Sequence, residues 1–166
     1  MACASSCLIL SSFLMLLSLS QGQEAKTELP NALIRCPEGT NNYGSHCYYL
    51  NQDQETWFDA NLSCQNTHSG HLVSLLNQAE GTFVASLIKE TSTDNLNVWT
   101  GLHDPKMNRR WQWSSGSVVS YKAWAQGAPS STNPGYCASL TSNSGFEQWK
   151  DEHCEKKLHF VCKFKI

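Results

Sequence analysis

The chain has 166 residues, with 12 Lys and Arg against 14 Asp and Glu, so its formal net charge is −2 at pH 7. This near balance gives no electrostatic field strong enough to argue for nucleic acid or an anionic membrane as a general partner. The length is sufficient for one domain with a sizeable hydrophobic core.

Residues 1–22 predict a secretory signal peptide. Met1 to Gly22 contains no Lys, Arg, Asp or Glu, and its apolar stretch from Leu8 to Leu19 is too short to span a bilayer comfortably. The segment departs from the usual pattern because its amino-terminal part has no Lys or Arg. We expect cleavage after Gly22, which leaves Gln23 first in a secreted, extracellular product and able to cyclise to pyroglutamate.

Residues 23–35 predict a flexible, protease-sensitive tail. The segment is polar, contains Pro30 and shows neither a helical nor a strand period. Thr27 is a candidate O-glycosylation site. Arg35 is a trypsin-type cleavage site that directly precedes Cys36, where the domain proper is predicted to begin.

The cysteine count predicts a disulfide framework. Cys3 and Cys7 leave with the signal peptide, and an even number remains. In a secreted chain this predicts three disulfides, for which fifteen pairings exist. Zinc binding is the less favoured alternative because the chain has no CxxC pair. The remaining cysteines are Cys36, Cys47, Cys64, Cys137, Cys154 and Cys162.

The amino-terminal half predicts a hairpin followed by two helices. Turn residues and then an aromatic stretch predict the hairpin over residues 36–50. A first helix is predicted over Gln54 to Gln65, with Thr56 as its cap. The second helix is clearer, since Asn77 caps it and Glu80 stands at its third position, as in a capping box. Its apolar residues recur at helical spacing: Phe83, Val84, Leu87 and Ile88.

The carboxy-terminal half predicts short strands separated by turns. Between them lies a long irregular region, Gly116 to Pro134, rich in Ser, Gly, Pro and Asn. Loops of this length in a compact disulfide-bonded domain are usually functional. The predicted strands are Val98 to Leu102, Arg110 to Trp113, Tyr136 to Thr141, Gln148 to Asp151 and His159 to Phe164.

Motifs in this half resemble the C-type lectin-like domain. The string Trp99-Thr-Gly-Leu102 is similar to the W-x-G-L core strand of that superfamily. Trp149, Asp151 and Cys154 stand where its W-x-D-x-x-C-type segment places them, between a Pro-containing loop and a final F-V-C-x-F strand. Within the superfamily the chain resembles the regenerating (lithostathine or pancreatic stone protein) group in three strings: Cys36-Pro-Glu-Gly-Thr40, Gly101-Leu-His-Asp-Pro105 and Asn108-Arg-Arg-Trp111.

The resemblance covers residues 36–166 and has consequences for the fold. It implies an α+β domain with two helices against a small, mostly antiparallel sheet and a long loop region. It also implies which cysteines pair: Cys36 with Cys47, Cys64 with Cys162, and Cys137 with Cys154. The second of these bridges closes the longest loop and should restrict the unfolded chain most.

The resemblance also locates a degenerate calcium loop. Sugar-binding members of the superfamily hold calcium with a Glu-Pro-Asn or Gln-Pro-Asp tripeptide and with the Asn-Asp of a later Trp-Asn-Asp. Here the tripeptide reads Ala128-Pro129-Ser130, and Lys150 and Asp151 stand at the later pair. Because calcium takes roughly six to eight oxygen ligands, the lost side chains and the charge of Lys150 exclude classical calcium-dependent sugar binding. We expect no metal or cofactor, a cis bond before Pro129, and a hydrogen-bonding role for Asp151 at a strand end.

Two charged clusters are candidate ligand patches. An acidic patch of Glu147, Glu152 and Glu155 around Cys154 could face a cation or a mineral surface, although a solvated charged rim is the favoured interpretation. A basic patch could grip anionic polysaccharide or a bacterial surface through ion pairing. Its members, Lys106, Arg109 and Arg110, interleave with Trp111 and Trp113, and alternation places the two indoles on the core face.

Catalysis is not predicted. None of the six histidines stands in a nucleophile or metalloprotease motif, and the His68-Ser-Gly-His71 spacing is best interpreted as a surface turn. Asn61 belongs to the one N-glycosylation sequon, and its occupancy depends on whether the side chain faces outward.

The resemblance implies a secreted binding protein that acts as a growth or regeneration signal for pancreatic or gastrointestinal cells. Restraint of calcium carbonate crystal growth is a further activity proposed for the group, as is self-assembly after the tail is clipped. The disulfide at Cys36 could slow that clipping at Arg35. The alternative function is a calcium-independent lectin for bacterial or host glycans, and the partners are then a receptor, a glycan or a mineral surface.

Overall fold

The computed structural model describes residues 35–166. The predicted signal peptide and nearly all of the predicted tail lie outside the described residues. Within residues 35–166, no helix is long and apolar enough to cross a membrane.

The described chain forms an α+β domain with one mixed, mostly antiparallel sheet, which confirms the predicted fold class. The sheet order is β1-β2-β8-β4-β6-β7, with β3 paired to β8 and β5 paired to β4. Among the strand pairs within residues 35–166, only β4–β8 is parallel. The elements are β1 Asn41–Tyr43, β2 His46–Glu55, α1 Trp57–His68, β3 His71–Leu72, α2 Gln78–Thr91, β4 Val98–His103, β5 Gln112–Trp113, β6 Cys137–Leu140, a 3-10 turn Ser142–Ser144, β7 Trp149–Glu152 and β8 Leu158–Lys165.

Both helices begin at the predicted caps. The Thr56 hydroxyl accepts a hydrogen bond from the Asp59 N–H, and the Asn77 side chain accepts one from the Glu80 N–H. Helix α1 starts later than predicted because strand β2 continues through Glu55 and leaves Thr56 as the first capping position.

The end of α1 is determined by close contact with the sheet. Ser69 takes a left-handed conformation, and its N–H donates to the Gln65 carbonyl at 3.1 Å. The next residue, Gly70, lies so near β8 that a Cβ atom would come within 2.6 Å of the Lys163 carbonyl oxygen. Only glycine fits there, so the His68 to His71 segment is a helix end and a turn, not a metal-ligand pair on one helix.

Three disulfides fasten the elements together, in the pairs that the resemblance implied. One closes the first hairpin, one joins α1 to β8, and one joins β6 to the loop after β7. The α1–β8 bridge spans 98 residues, a loop length for which chain entropy alone accounts for about 4 to 5 kcal/mol. The pairs are Cys36–Cys47, Cys64–Cys162 and Cys137–Cys154.

A buried ion pair lies between α2 and the sheet. Glu80 is 3% exposed, and its Oε1 contacts the Lys163 ammonium and accepts a hydrogen bond from the Tyr48 hydroxyl at 2.6 Å. Its Oε2 accepts the Leu76 N–H at 2.9 Å. Burial, with the hydrogen bond to Glu80, raises the pKa of Tyr48 well above its ordinary value. The carboxylate therefore connects α2, the loop before it, β2 and β8.

Replacing Glu80 tests this connection. Glu80→Gln keeps the shape of the side chain but leaves the Lys163 ammonium buried without a counter-charge, so we expect the free energy of unfolding to fall by about 3 to 5 kcal/mol. Guanidinium denaturation with the disulfides intact measures this. The control is Glu90→Gln on the exposed side of the same helix, which should change stability by less than about 0.5 kcal/mol. Equal losses in the two variants would contradict the assignment.

Candidate functional site

The degenerate calcium loop lies alongside strand β7. The Ala125 N–H donates to the Trp149 carbonyl, and the Trp149 N–H donates to the Ala123 carbonyl, both at 2.8 Å. The bond between Ala128 and Pro129 is cis, as the resemblance implied. The backbone before the tripeptide is therefore paired with β7 through main-chain hydrogen bonds.

Asp151 anchors the far side of this loop. The residue is 8% exposed. Its Oδ1 accepts the Ser130 N–H and its Oδ2 accepts the Gly135 N–H, each at 2.8 Å. Gly135 lies against the backbone of Glu152, where a Cβ atom would overlap it. Both carboxylate oxygens are thus occupied by loop amides, and the loop is closed by protein groups alone.

An open pocket of about 520 Å³ lies over this loop. Lys150 is exposed on its wall, and the Lys150 Nζ lies 3.5 Å from Glu152 Oε1. The remaining polar side chains of the wall are mostly amides and hydroxyls, which can donate and accept hydrogen bonds without a metal. They include Asn133, Asn143, Ser144 and Gln148.

This donor set does not fit calcium. Asp151 already holds two amides, Ala128 has no side-chain oxygen, and Lys150 brings a positive charge where a second acidic or amide ligand is needed. Across residues 35–166, no group of three or more His, Cys, Asp or Glu side chains is placed to hold a metal ion.

The structure corrects the expected acidic patch. Glu147 and Glu155 are exposed, but Glu152 is only 7% exposed. The carboxylate of Glu152 lies 3.5 Å from both the Lys150 and the Lys156 ammonium groups. Because two lysines neutralise Glu152, the patch has two free carboxylates at most, and its third member belongs to the fold.

The basic patch lies on a tight loop after β4. The buried Asp104 carboxylate accepts the Asn108 N–H at 3.2 Å and the Arg109 N–H at 2.8 Å, and Arg109 takes a left-handed conformation with φ of 66°. This loop turns the chain back, so strand β5 comprises only Gln112–Trp113 and begins later than the predicted Arg110.

The same loop brings two predicted sites together. The Arg109 guanidinium donates to the carbonyl of Ser130 in the degenerate calcium loop. Lys106 and Arg110 are exposed, and Arg110 shares a second pocket with Arg109, whereas Lys106 does not line it. The contact between Arg109 and Ser130 could not be predicted from the sequence because about twenty residues separate them, and only the folded sheet brings the two loops side by side.

Sequence reasoning missed Lys122, which lines the same pocket as Arg109 and Arg110. The sequence feature that could have identified Lys122 is the stretch Tyr121-Lys122-Ala123-Trp124. In an extended chain, alternation places Lys122 and Trp124 on the same side. Trp124 packs edge-on against Trp111, with ring centroids 4.9 Å apart.

Trp113 lies in the core at 2% exposure, as the alternation predicted. Trp111 is half-buried and packs at the margin of that core. The two indoles therefore differ in burial, and only Trp111 is near the basic side chains.

The modification and processing sites are only partly described. The Asn61 side chain is partly buried, and its Oδ1 accepts the Leu72 N–H at 3.3 Å, so the amide contributes to the fold. Arg35 is exposed. Gln23 and Thr27 lie outside the described residues, and all four remain predictions.

His103 stands at the start of the basic loop. Its ring stacks on Trp57 with centroids 4.3 Å apart, and its Nδ1 lies 3.1 Å from the Gln112 carbonyl oxygen. Burial lowers the pKa of His103 below its ordinary value of 6.5, with a smaller opposing effect from the hydrogen bond to Gln112. The folded protein therefore favours the neutral imidazole.

This pKa predicts a pH-dependent stability. The unfolded chain takes up a proton on His103 near pH 6.5 while the folded chain resists it, so the stabilisation is present above that pH and is lost as the pH falls further. His103→Gln should flatten the fall in unfolding free energy between about pH 7 and pH 5. His153→Gln, at an exposed position, is the control. A wild-type slope retained by His103→Gln would refute the prediction.

The anchor role of Asp151 predicts a second effect. In Asp151→Asn the amide can accept one loop N–H but places its own NH₂ against the other, so we expect a loss of about 2 to 3 kcal/mol in unfolding free energy. Glu155→Gln removes an exposed carboxylate nearby and should be close to neutral. Denaturant titration at neutral pH measures both; a neutral Asp151→Asn would show that the loop does not depend on this carboxylate.

Comparison with known proteins agrees with this geometry. The Lectin C-type domain model matches residues 53–164. The human protein lithostathine-1-beta is 71% identical over 165 residues, which are 99% of each chain. The crystal structure of human lithostathine is 70% identical and superposes with a TM-score of 0.80, covering 87% of this chain and 100% of that one.

A more distant structure shares the fold. Ovocleidin-17, a major protein of the Gallus gallus eggshell calcified layer, is 25% identical with a TM-score of 0.72, over 80% of this chain and 100% of its own. The domain match and the near full-length identity show that the chain belongs to the C-type lectin domain family and, within it, to the regenerating or lithostathine group.

Proposed function

We propose that this protein is a secreted, non-catalytic recognition protein of the regenerating type, acting as a growth or regeneration signal for pancreatic or gastrointestinal cells without calcium at its long loop. The observation that carries the calcium-independent part is the Asp151 carboxylate, which holds the Ser130 and Gly135 amides. The near full-length likeness to human lithostathine supports the group-level function.

The loop can recognise a partner without a metal because protein groups alone hold its conformation. In a calcium-binding loop, the cation attracts the ligand oxygens and orders the chain around them. Here Asp151 holds the Ser130 amide, while Arg109 holds the Ser130 carbonyl from the other side. A preformed loop of this kind presents its surface to a partner at little cost in ordering.

Burial of the imidazole in the available histidine–carboxylate pair supports a binding role over catalysis. Within residues 35–166, the His159 Nε2 lies 2.7 Å from the Asp94 Oδ2, and this is the one such pair. The side chain of His159 is 7% exposed. A substrate could not reach this imidazole, so the pair serves to fasten the loop after α2 to strand β8.

A second candidate function is calcium-independent glycan binding. It is favoured by the open pocket over the degenerate calcium loop, whose amides, hydroxyls and Lys150 can hydrogen-bond sugar hydroxyls directly. The likeness to ovocleidin-17 supports the further prediction of calcium carbonate restraint, but Glu152 is neutralised by lysines, so this acidic surface is smaller than expected.

Membrane binding separates these functions. Labelled protein recovered from the medium of cells expressing the full chain would be titrated onto immobilised membranes of pancreatic epithelial cells, with calcium or with EDTA, before and after enzymatic removal of glycans. We expect saturable binding that neither EDTA nor glycan removal changes, and a thermal midpoint that calcium does not shift. Loss of binding in EDTA would refute calcium independence.

Loss of binding after glycan removal, with resistance to EDTA, would favour the second candidate. Asn143→Ala and Lys150→Ala then test the open pocket, since both line it, and Gln65→Ala on the exposed face of α1 is the control. Secretion itself is tested by recovery of the chain from the medium with Gln23 as its first residue.

A further inference from the structure

A second, smaller pocket of about 230 Å³ lies beside the basic loop, away from the degenerate calcium loop's own pocket. Three cationic side chains and two indoles surround it, over an aliphatic floor. They are Arg109, Arg110, Lys122, Trp111, Trp124 and the fully buried Leu102. We call this the cationic indole pocket.

The positive charge of this pocket is not compensated. None of the four ion pairs found within residues 35–166 includes Arg109, Arg110 or Lys122, and no acidic residue lines the pocket. Asp104, the acidic residue of the adjoining loop, is buried with both oxygens occupied by backbone amides. Three formal positive charges therefore face one small cavity in a chain whose net charge is negative.

The pocket is also preorganised. Arg109 is held by its backbone bond to Asp104 and by its guanidinium contact with the Ser130 carbonyl. Trp124 packs edge-on against both Trp111 and the buried Trp149, with centroids 4.9 and 5.7 Å apart. Walls that are already ordered reduce the entropy lost when a ligand binds.

We propose that the cationic indole pocket binds a sulfated or carboxylated sugar ring of an acidic polysaccharide. Guanidinium groups pair with sulfate and carboxylate oxygens through parallel hydrogen bonds, and indole faces cover the apolar faces of small rings. The volume is below the roughly 300 Å³ typical of pockets for drug-sized ligands, so it suits one ring. The negative net charge of the chain disfavours nucleic acid, because tight binding to nucleic acid needs a broad basic surface that contacts many phosphates.

A neighbouring pocket extends this site to a chain of sugars. It shares Trp124 as a wall, has a similar volume of about 230 Å³ and contains no cationic side chain. Gln78, Thr82, Tyr121 and Gln148 line it with hydrogen-bonding groups, and the exposed carboxylate of Glu147 on its wall disfavours an acidic ring there. A polysaccharide in which acidic and neutral rings alternate would place an acidic ring among the cations and its neutral neighbour across Trp124.

The proposal rests on the glycan-binding candidate and is tested with defined probes. A heparin hexasaccharide, its desulfated form, a hyaluronan hexasaccharide and inorganic sulfate would be titrated at about 0.15 M salt, where distant surface charges are screened. Intrinsic tryptophan fluorescence and calorimetry report binding. We expect the heparin or the hyaluronan hexasaccharide to bind at least tenfold more tightly than inorganic sulfate. Comparison of heparin with its desulfated form and with hyaluronan then shows whether sulfate or carboxylate is the anionic group recognised.

Matched variants distinguish binding in the pocket from diffuse electrostatic attraction to the basic surface. Arg110→Ala and Lys122→Ala should each weaken hexasaccharide binding about tenfold, as expected for losing a hydrogen bond between charged groups. Lys106→Ala removes the same charge from the same basic loop but does not line the pocket, and should stay within about twofold. Arg110→Lys should restore only part of the affinity because it lacks the planar guanidinium. Unchanged far-UV circular dichroism and thermal midpoints show that these surface variants are folded.

Four results would overturn the proposal. Equal weakening by Lys106→Ala and Arg110→Ala would mean diffuse electrostatic attraction, and inorganic sulfate competing as well as the hexasaccharide would mean a simple anion site. Absence of binding by all three hexasaccharides would mean no such site. Glycan binding that survives Arg110→Ala but is lost in Lys150→Ala would place it in the open pocket, so the glycan-binding candidate would stand while this pocket fails.

Discussion

The carboxylate of Asp151 is the constraint on which the functional surface depends. A long loop without regular secondary structure needs partners for its backbone amides, because buried unpaired N–H groups are costly. Asp151 provides two of them, at Ser130 and Gly135. These two bonds fix the loop against strand β7, and the Ser130 carbonyl is thereby placed to accept the Arg109 guanidinium of the basic loop, which Asp104 holds from its own side.

In the described part of the chain, the exposed cations around Trp111 and Trp124 remain without acidic partners because the fold buries the nearby carboxylates and binds them to other groups. Asp104, Asp151 and Glu152 are all buried, and each is bound to backbone amides, an amide side chain or lysines. These acids cannot neutralise the exposed cations around Trp111 and Trp124. A chain that is slightly acidic overall thus presents a locally basic cavity, which composition alone could not reveal because a net charge contains no information about position.

Local signals predicted the helices well because their caps and periods act over a few residues. Thr56 and Asn77 cap the two helices, since a side-chain acceptor for an orphan N–H lies within three residues of it. The strand boundaries were less accurate. Strand β5 lost its first predicted residues because Asp104, several residues upstream, bends the chain through the Arg109 amide, and no periodicity records such a bond.

The sequence by itself determined the number of disulfides to expect, which depends on residue type alone. Through motifs that resemble the C-type lectin-like domain, it also implied the class of the domain and the loss of the calcium ligands. Only the tertiary structure decided which charged side chains remain available. It buried Glu152 between two lysines, joined Arg109 to Ser130, and brought Lys122 to Arg110 while leaving Lys106 outside the pocket. The reason is that pairing and desolvation depend on distances between residues far apart in the chain, and those distances exist only after the sheet has formed.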